Sequence, residues 1–205
     1  MLIPLFPLHT TLFPGARLAL KIFEARYMDM TTACLKDGSA FGVCLISSGN
    51  EVASAGQAAA TPHAIGTLAN ISEWDMRSLG VLHINILGGQ RFRVRSATPN
   101  VASLLLAEIE LLPDEAVVAV PSEYAALVTL LQAIIEQQAD NLSKLFQSPH
   151  RYDDASWVGM RLAQVMPIPE IAKQKLLEVD DPLIRLEILY RFLSGQGLLP
   201  DKSAC

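Results

Sequence analysis

Charge and cysteine are both scarce in this sequence. Charged residues make up 18% of the chain, against about 25% in an average globular domain, so the surface is thinly charged or partly covered. The net charge is -5 and the pI is about 5.3, which argues against a basic nucleic-acid binder. Cysteine occurs three times, at Cys34, Cys44 and Cys205, with no C-x-x-C pair. An odd count without that spacing argues against a disulfide framework and a zinc site. Cys34 and Cys44 lie among apolar residues and are expected to be small core groups, with Cys205 inert at the terminus. No unbroken apolar run is long enough to span a bilayer. Residues 52–72 are uncharged, but Gly, Pro, Ser, Thr, Gln and His interrupt them. The apolar start, MLIPLFPLHTTLFPGARLALK, has no basic residue before Arg17 and holds Pro4, Pro7 and Pro14, which is not a signal-peptide pattern. A cytoplasmic protein without membrane contact is expected.

Apolar residues are plentiful, at 51%, with a mean hydropathy of +0.31. That excludes disorder. A chain of 205 residues is long enough for one large domain or two small ones without staples. Its character changes near Pro113–Asp114. Before that point the apolar runs are short, rich in β-branched and aromatic residues, and bounded by turn formers. Strands are predicted at 1–6, 16–20, 40–47, 64–73, 81–88, 90–97 and 102–111. One helix is predicted over 23–35, because Phe23, Tyr27, Met30 and Cys34 recur with helical spacing. After Pro113 the pattern is helical. Leu127, Leu131, Ile134 and Ile135 form one stripe, a short helix is predicted at 142–146, and Asp154 is placed to cap a helix carrying Val158, Leu162 and Val165. Pro169 suits the start of the next helix. Asp181–Pro182 reads as cap and first turn of the last, carrying Leu183, Leu186, Leu189, Tyr190 and Leu193 and ending before Gly195. The fold class is therefore α+β, with a β-rich subdomain over 1–114 and an antiparallel helical bundle over 115–205. The first holds 8 basic and 9 acidic residues, the second 8 and 12. Residues 57–62 are expected to form a surface turn.

Chemistry-bearing motifs are sparse. There is no phosphate loop, dinucleotide fingerprint or nucleophile elbow, and Gly88–Gly89 leads into a strand instead of a helix. His9, His63, His83 and His150 are scattered, and His83 with Asn85 belongs to the polar face of VLHINIL. The pairs Asp153–Asp154 and Asp180–Asp181 could be acid/base carboxylates, but each opens a helix and is expected to cap it. Arg91, Arg93 and Arg95 alternate with Phe92 and Val94, so they read as one strand face: a solvated stripe, or a small basic site for carboxylates or phosphates. Trp74 and Met76 fall in a predicted turn, either as an apolar contact pair or folded onto the core. No metal site and no cofactor are expected.

Five segments in order carry a family resemblance. They are IPLFPL with LFPG and LALKIFEARY, then FGVCL, IGTLANI, GGQRFRV, and KQKLLEVDDPLIRLEILYRFL. Together the chain from Leu2 to about Leu193 resembles the N-terminal, substrate-binding domain of Lon proteases, as a stand-alone member of bacterial type. The same module opens cereblon. The resemblance implies a PUA-like β pseudo-barrel with one inserted helix, followed by a helical bundle. It implies fold-forming roles for Pro7, Pro14, Phe23, Glu24, Arg26, Tyr27, Gly42, Gly66, Arg91 and Phe92, with Glu24 or Arg26 pairing to barrel groups such as Arg91. With the sequence ending at Cys205, the ATPase and Ser–Lys protease domains of full-length Lon proteases are expected to be absent, and the family's Asp-Gly turn is replaced by WDMRSLG.

The expected function is a non-enzymatic protein-binding module, an adaptor or recogniser of unfolded proteins. Its expected partners are peptide segments, a separate protease, or a second copy of itself. Trp74, Met76, Arg91 and Arg93 are the candidate contact residues. RNA binding through RFRVR, and an enzyme acting on a small molecule, are the alternatives.

Overall fold

The computed structural model describes residues 1–49, 60–78, 80–137, 145–146 and 149–199. The chain divides into two compact units, Met1–Asp114 and Glu115–Cys205.

In the first unit the described strands are β1 (Leu2–Leu8), β2 (Arg17–Ile22), β3 (Phe41–Ser48), β4 (Thr61–Pro62), β5 (Ile65–Ser78), β6 (Val81–Pro99) and β7 (Leu105–Leu111), with helix α1 (Ala25–Asp37) between β2 and β3. The sheet runs β1-β7-β6-β5-β3-β4, and β1 also pairs with β3. That last pairing closes a five-stranded ring, while β2 lies on β6 outside it. Among the described strand pairings only β1–β3 is parallel. β1 pairs β7 through Leu2–Pro4 and β3 through Leu5–Leu8. Each half of β1 thus has one ladder partner, so Pro4 and Pro7 are accommodated despite lacking an N–H.

The ring encloses Ile3, Leu5, Cys44, Phe92, Leu105, Ala107 and Ile109. Two glycines explain how Phe92 fits. A Cβ on Gly42 would sit 2.7 Å from the Phe92 Cζ and 2.6 Å from Leu5 Cδ2. A Cβ on Gly66 would sit 2.6 Å from the same Cζ, 2.5 Å from Cys44 Sγ and 2.6 Å from the Val43 carbonyl oxygen. The FG, IGT and RF motifs therefore describe one packing event. A third close approach is Gly88, where a Cβ would lie 2.2 Å from the Phe13 carbonyl oxygen. Here Gly15, at φ +71, donates its N–H to Gly88 O. The Pro14–Gly15 turn is bound to the sheet there.

α1 buries Tyr27, Met30, Thr31 and Cys34, and Tyr27 stacks on Phe6 with ring centroids 4.0 Å apart. Phe23 departs from the predicted stripe. It precedes the N-cap residue Glu24 and is 59% exposed. Glu24 and Arg26 pair with each other at 2.9 Å. Arg26 also donates to Ser103 O and lies 4.4 Å over the Tyr27 ring. The two strands predicted at 81–88 and 90–97 are one strand, β6, because Gly88–Gly89 pass through at a register shift and do not break it. β4 was not predicted; it occupies Thr61–Pro62, inside the expected turn at 57–62, whose residues 57–59 lie outside the described ones.

In the second unit a 3₁₀ turn (Ser122–Tyr124) leads into α2 (Ala125–Gln137), followed by α3 (Ala155–Val165), α4 (Glu170–Glu178) and α5 (Pro182–Gly195). The helix predicted at 142–146 falls mostly outside the described residues. α2 buries Leu127, Leu131 and Ile135. α3 buries eight residues and packs on α2, α4 and α5. Asp154 caps α3 by accepting from Ser156 N at 3.0 Å, and Asp181 caps α5 by accepting from Leu183 N at 2.8 Å, with Pro182 in the first turn. The last helix includes Gly195, one residue beyond the predicted stop.

One buried ion pair organises this unit. Arg185 on α5 is wholly buried and holds Glu115 through two guanidinium nitrogens, at 2.5 and 2.8 Å. It also donates to Leu176 O at 2.9 Å and to Val179 O. Glu115 in turn accepts from Ser156 Oγ at 2.6 Å. Gly159 leaves room for the Arg185 stem, since a Cβ there would lie 3.1 Å from its Cδ.

Two stability predictions follow from this packing. Gly66→Ala is expected to lose about 3 kcal/mol by overpacking. Combined with Phe92→Leu, which removes the Cζ, it should lose about 1 kcal/mol less than the two single losses added together. Glu115→Ala strands a buried guanidinium and should cost about 3–5 kcal/mol. Denaturant titration checks both, and additive losses in the glycine series would refute the shared-space account.

Candidate functional site

Beyond Asn70, β5 leaves the ring and forms a ribbon with β6, onto whose other edge β2 is paired. Cross-strand rows can be read directly from the register. Lys21, His83 and Asp75 form one row, and Ala19, Asn85 and Glu73 the next; Leu20, Ile84 and Trp74 lie between them. Opposed residues share a face and successive residues alternate. The Lys21 and Ala19 rows are therefore on the outer face. Trp74 shares the face of Ile84, which is 2% exposed. These nine residues line an open groove of about 530 Å³. Asn85 donates to the Glu73 carboxylate at 2.8 Å, and Ser72 Oγ donates to Asn85 O at 3.0 Å.

Trp74 is 61% and Met76 48% exposed. The predicted turn is corrected: both residues are in strand β5, and the chain reverses further on, near Gly80 at φ +83. The sequence WDMRS carries two charges and no β-branched residue, so its local pattern reads as loop. Its strand state comes from pairing with β6.

The arginine stripe is not a solvated face. Arg91 is 4% exposed, Arg93 is half-buried and Arg95 is exposed, paired with Glu110. Arg91 and Arg93 oppose Thr67 and Ile65 in unbroken register and share a face, while the register shift between Val94 and Ser96 falls at Arg95 and sets it apart. Of the four candidate contact residues, Trp74 lines the groove and Arg91 lies in the interior.

The remaining candidates have structural placements. His83 is on the outer face of β6, as expected. Asp154 and Asp181 are caps. Burial pushes the Cys44 thiol up to about 12. Burial also raises Cys34, opposed by a hydrogen bond from Ser39 and aided by Asp37. Thiols held neutral in this way are poor nucleophiles. Among the described residues no group of three or more His, Cys, Asp or Glu could hold a metal ion. No helix of the described residues is long and apolar enough to cross a membrane.

Two groupings were not anticipated. In the second unit, Phe146, His150, Tyr152 and Trp157 form an aromatic cluster. His150 Nδ1 lies 3.0 Å from Tyr152 Oη, and the Tyr152 and Trp157 rings are 5.3 Å apart. The Arg161 guanidinium lies 5.5 Å from the Phe146 ring, and burial with nearby Arg151 pushes its pKa down to about 9. On α5, Ile184, Ile188 and Phe192 are 51%, 43% and 45% exposed. Their i, i+4, i+8 spacing was visible in the sequence, but the opposite face of the helix is equally apolar and masked it.

A closed β-ring with one inserted helix, followed by a helical unit, defines an α+β architecture of the PUA-like kind. The family model for the ATP-dependent protease La (LON) substrate-binding domain matches residues 2–195. A crystal structure of a Lon N-terminal domain protein from Xanthomonas campestris is 34% identical, with a TM-score of 0.77, covering 93% of this chain and 98% of that one. The N-terminal domain of the Mycobacterium avium complex Lon protease shares the fold at 16% identity and a TM-score of 0.63, covering 95% and 98%. No curated protein matches the chain. The chain belongs to the Lon substrate-binding domain family.

The thiol placement carries a pH prediction. Below a pH of about 9 the Cys44 thiol is neutral both folded and unfolded. Between about 9 and about 12 the unfolded thiol ionises and the folded one does not. Folding stability should therefore fall across that window. Any advantage of the native protein over Cys44→Ala should shrink as pH rises through it, and native Cys44 should resist alkylation at pH 8. A constant difference across the window, read by denaturant titration, would remove the assignment.

Proposed function

We propose that this chain is a non-catalytic substrate-binding module that captures exposed apolar segments of unfolded proteins. It acts as an adaptor or recogniser in the cytoplasm, working with a separate protease. Family membership supports substrate binding. The observation that carries the finer reading is Trp74, 61% exposed on strand β5, whose residues 73–75 line the groove. A tryptophan left in water costs apolar burial unless a partner covers it. Met76 beside it supplies an adaptable thioether side chain.

The RNA alternative draws its support from the RFRVR strand. Burial of Arg91 and the Arg95–Glu110 pair leave that strand little free positive charge. The enzyme alternative draws no support from thiols held neutral by burial or from aspartates engaged as caps.

A labelled, reduced and alkylated lysozyme is expected to bind in an anisotropy titration. Trp74→Ala should weaken binding about tenfold, while leaving the unfolding midpoint within about 0.5 kcal/mol of the parent, since the side chain is exposed. Unchanged affinity in the variant, or no binding by the parent, would count against the reading.

A further inference from the structure

Six methionines occur in the chain, and their exposures divide them. Met30, Met160 and Met166 are buried, and Met28 is half-buried. Met1 and Met76 are 59% and 48% exposed. Of these two, Met76 belongs to the candidate site, two residues along β5 from Trp74. Residues 72–76 are all exposed, so an oxidant in solution reaches it. The described thiols do not compete. Cys34 and Cys44 are buried, and burial holds both neutral, whereas the thiolate is the form that reacts with peroxide. The oxidisable sulfur that meets solvent at this site is a thioether.

We infer that Met76 is a redox-modification site: a peroxide converts its thioether to the sulfoxide, and the change weakens capture at Trp74. The inference rests on the protein-capture reading above and adds a control to that site. The step balances with hydrogen peroxide as the oxidant. A sulfur lone pair attacks one peroxide oxygen, an S–O bond forms and the O–O bond breaks. The sulfur is oxidised and the peroxide reduced. The second oxygen leaves as hydroxide, takes the proton from the transferred oxygen and departs as water. The product is polar and chiral where the thioether was apolar and adaptable. A sulfoxide oxygen pressed against an apolar client loses water and gains no donor, so burial that favoured binding now opposes it. Trp74 keeps its apolar area, so capture is weakened and not abolished. Exposure also spares the fold. A side chain already in water gains a polar oxygen without desolvating it, so oxidation acts on binding and not on stability. The same reaction at Met30, Met160 or Met166 would put that oxygen into the core, and their burial protects them.

The test treats the whole chain with dilute hydrogen peroxide, removes the peroxide with catalase, and follows each methionine by peptide mapping. Met76 and Met1 should gain oxygen first, Met28 more slowly, and Met30, Met160 and Met166 last. The treated protein should bind reduced and alkylated lysozyme about tenfold more weakly than the untreated protein, with its unfolding midpoint unmoved. In Met76→Leu, which has no sulfur to oxidise at that position, treated and untreated protein should bind alike, whatever the starting affinity of the variant. Met1 is still present there, so the comparison isolates position 76. Dithiothreitol alone should not restore the treated parent, because it reverses thiol oxidation and leaves sulfoxides. Methionine sulfoxide reductases acting on both epimers should restore it.

Oxidation of the buried methionines ahead of Met76 overturns the site. An equal loss of affinity in the parent and in Met76→Leu, or full recovery with dithiothreitol alone, assigns the effect to another residue and overturns the inference. So does a loss of affinity that comes with a lowered unfolding midpoint. If the parent binds alkylated lysozyme equally well before and after oxidation of Met76, the inference fails alone and capture by Trp74 stands. If the untreated parent does not bind, the proposed function fails and its control fails with it.

Discussion

The first unit depends on the far end of one aromatic ring. Phe92 on β6 is fully buried, and its Cζ occupies the space where Gly42 on β3 and Gly66 on β5 would each carry a Cβ. Ile3 and Leu5 of β1 close the same space. Four of the five strands in the ring therefore meet around a single side chain. Glycine in a strand costs about 0.5–1 kcal/mol relative to alanine. Removing a buried phenylalanine costs about 3–5 kcal/mol. The two glycines are thus a smaller loss than the ring they admit. Three motifs separated in sequence, FG, IGT and RF, are the separate ends of that one contact.

Much of this architecture is legible in the sequence, because it rests on local pattern. Short β-branched runs bounded by turn formers mark β1, β3, β7 and the start of β5. The caps Asp154 and Asp181 announce their helices through side-chain chemistry that acts over two or three residues. Local rules fail where pairing adds or removes a residue from register. Gly88–Gly89 reads as a break, yet the strand continues, and Gly88 admits the Phe13–Ala16 turn against the sheet. Arg91 faces the interior opposite the buried Thr67, and a register shift at Arg95 ends the apparent stripe. Trp74 and Met76 were legible as candidate contacts, but not as strand residues, since their conformation is set by β6 and not by their own propensity.

The helical unit shows the same limit in electrostatic form. Arg185 sits inside RLEILYRFL, where an arginine on an amphipathic helix is ordinarily a solvent-facing residue. Instead it is wholly buried and held by Glu115, 70 residues away in sequence and outside every helix. No local signal connects the two. A buried guanidinium needs a carboxylate and further acceptors to offset its desolvation, and here the carbonyl oxygens of Leu176 and Val179 supply them. That requirement ties the entry to the unit, the end of α4 and the start of α5 together. Low overall charge does not mean that charge is unimportant to this fold; Arg91, Asp154, Arg161 and Arg185 all lie in its interior.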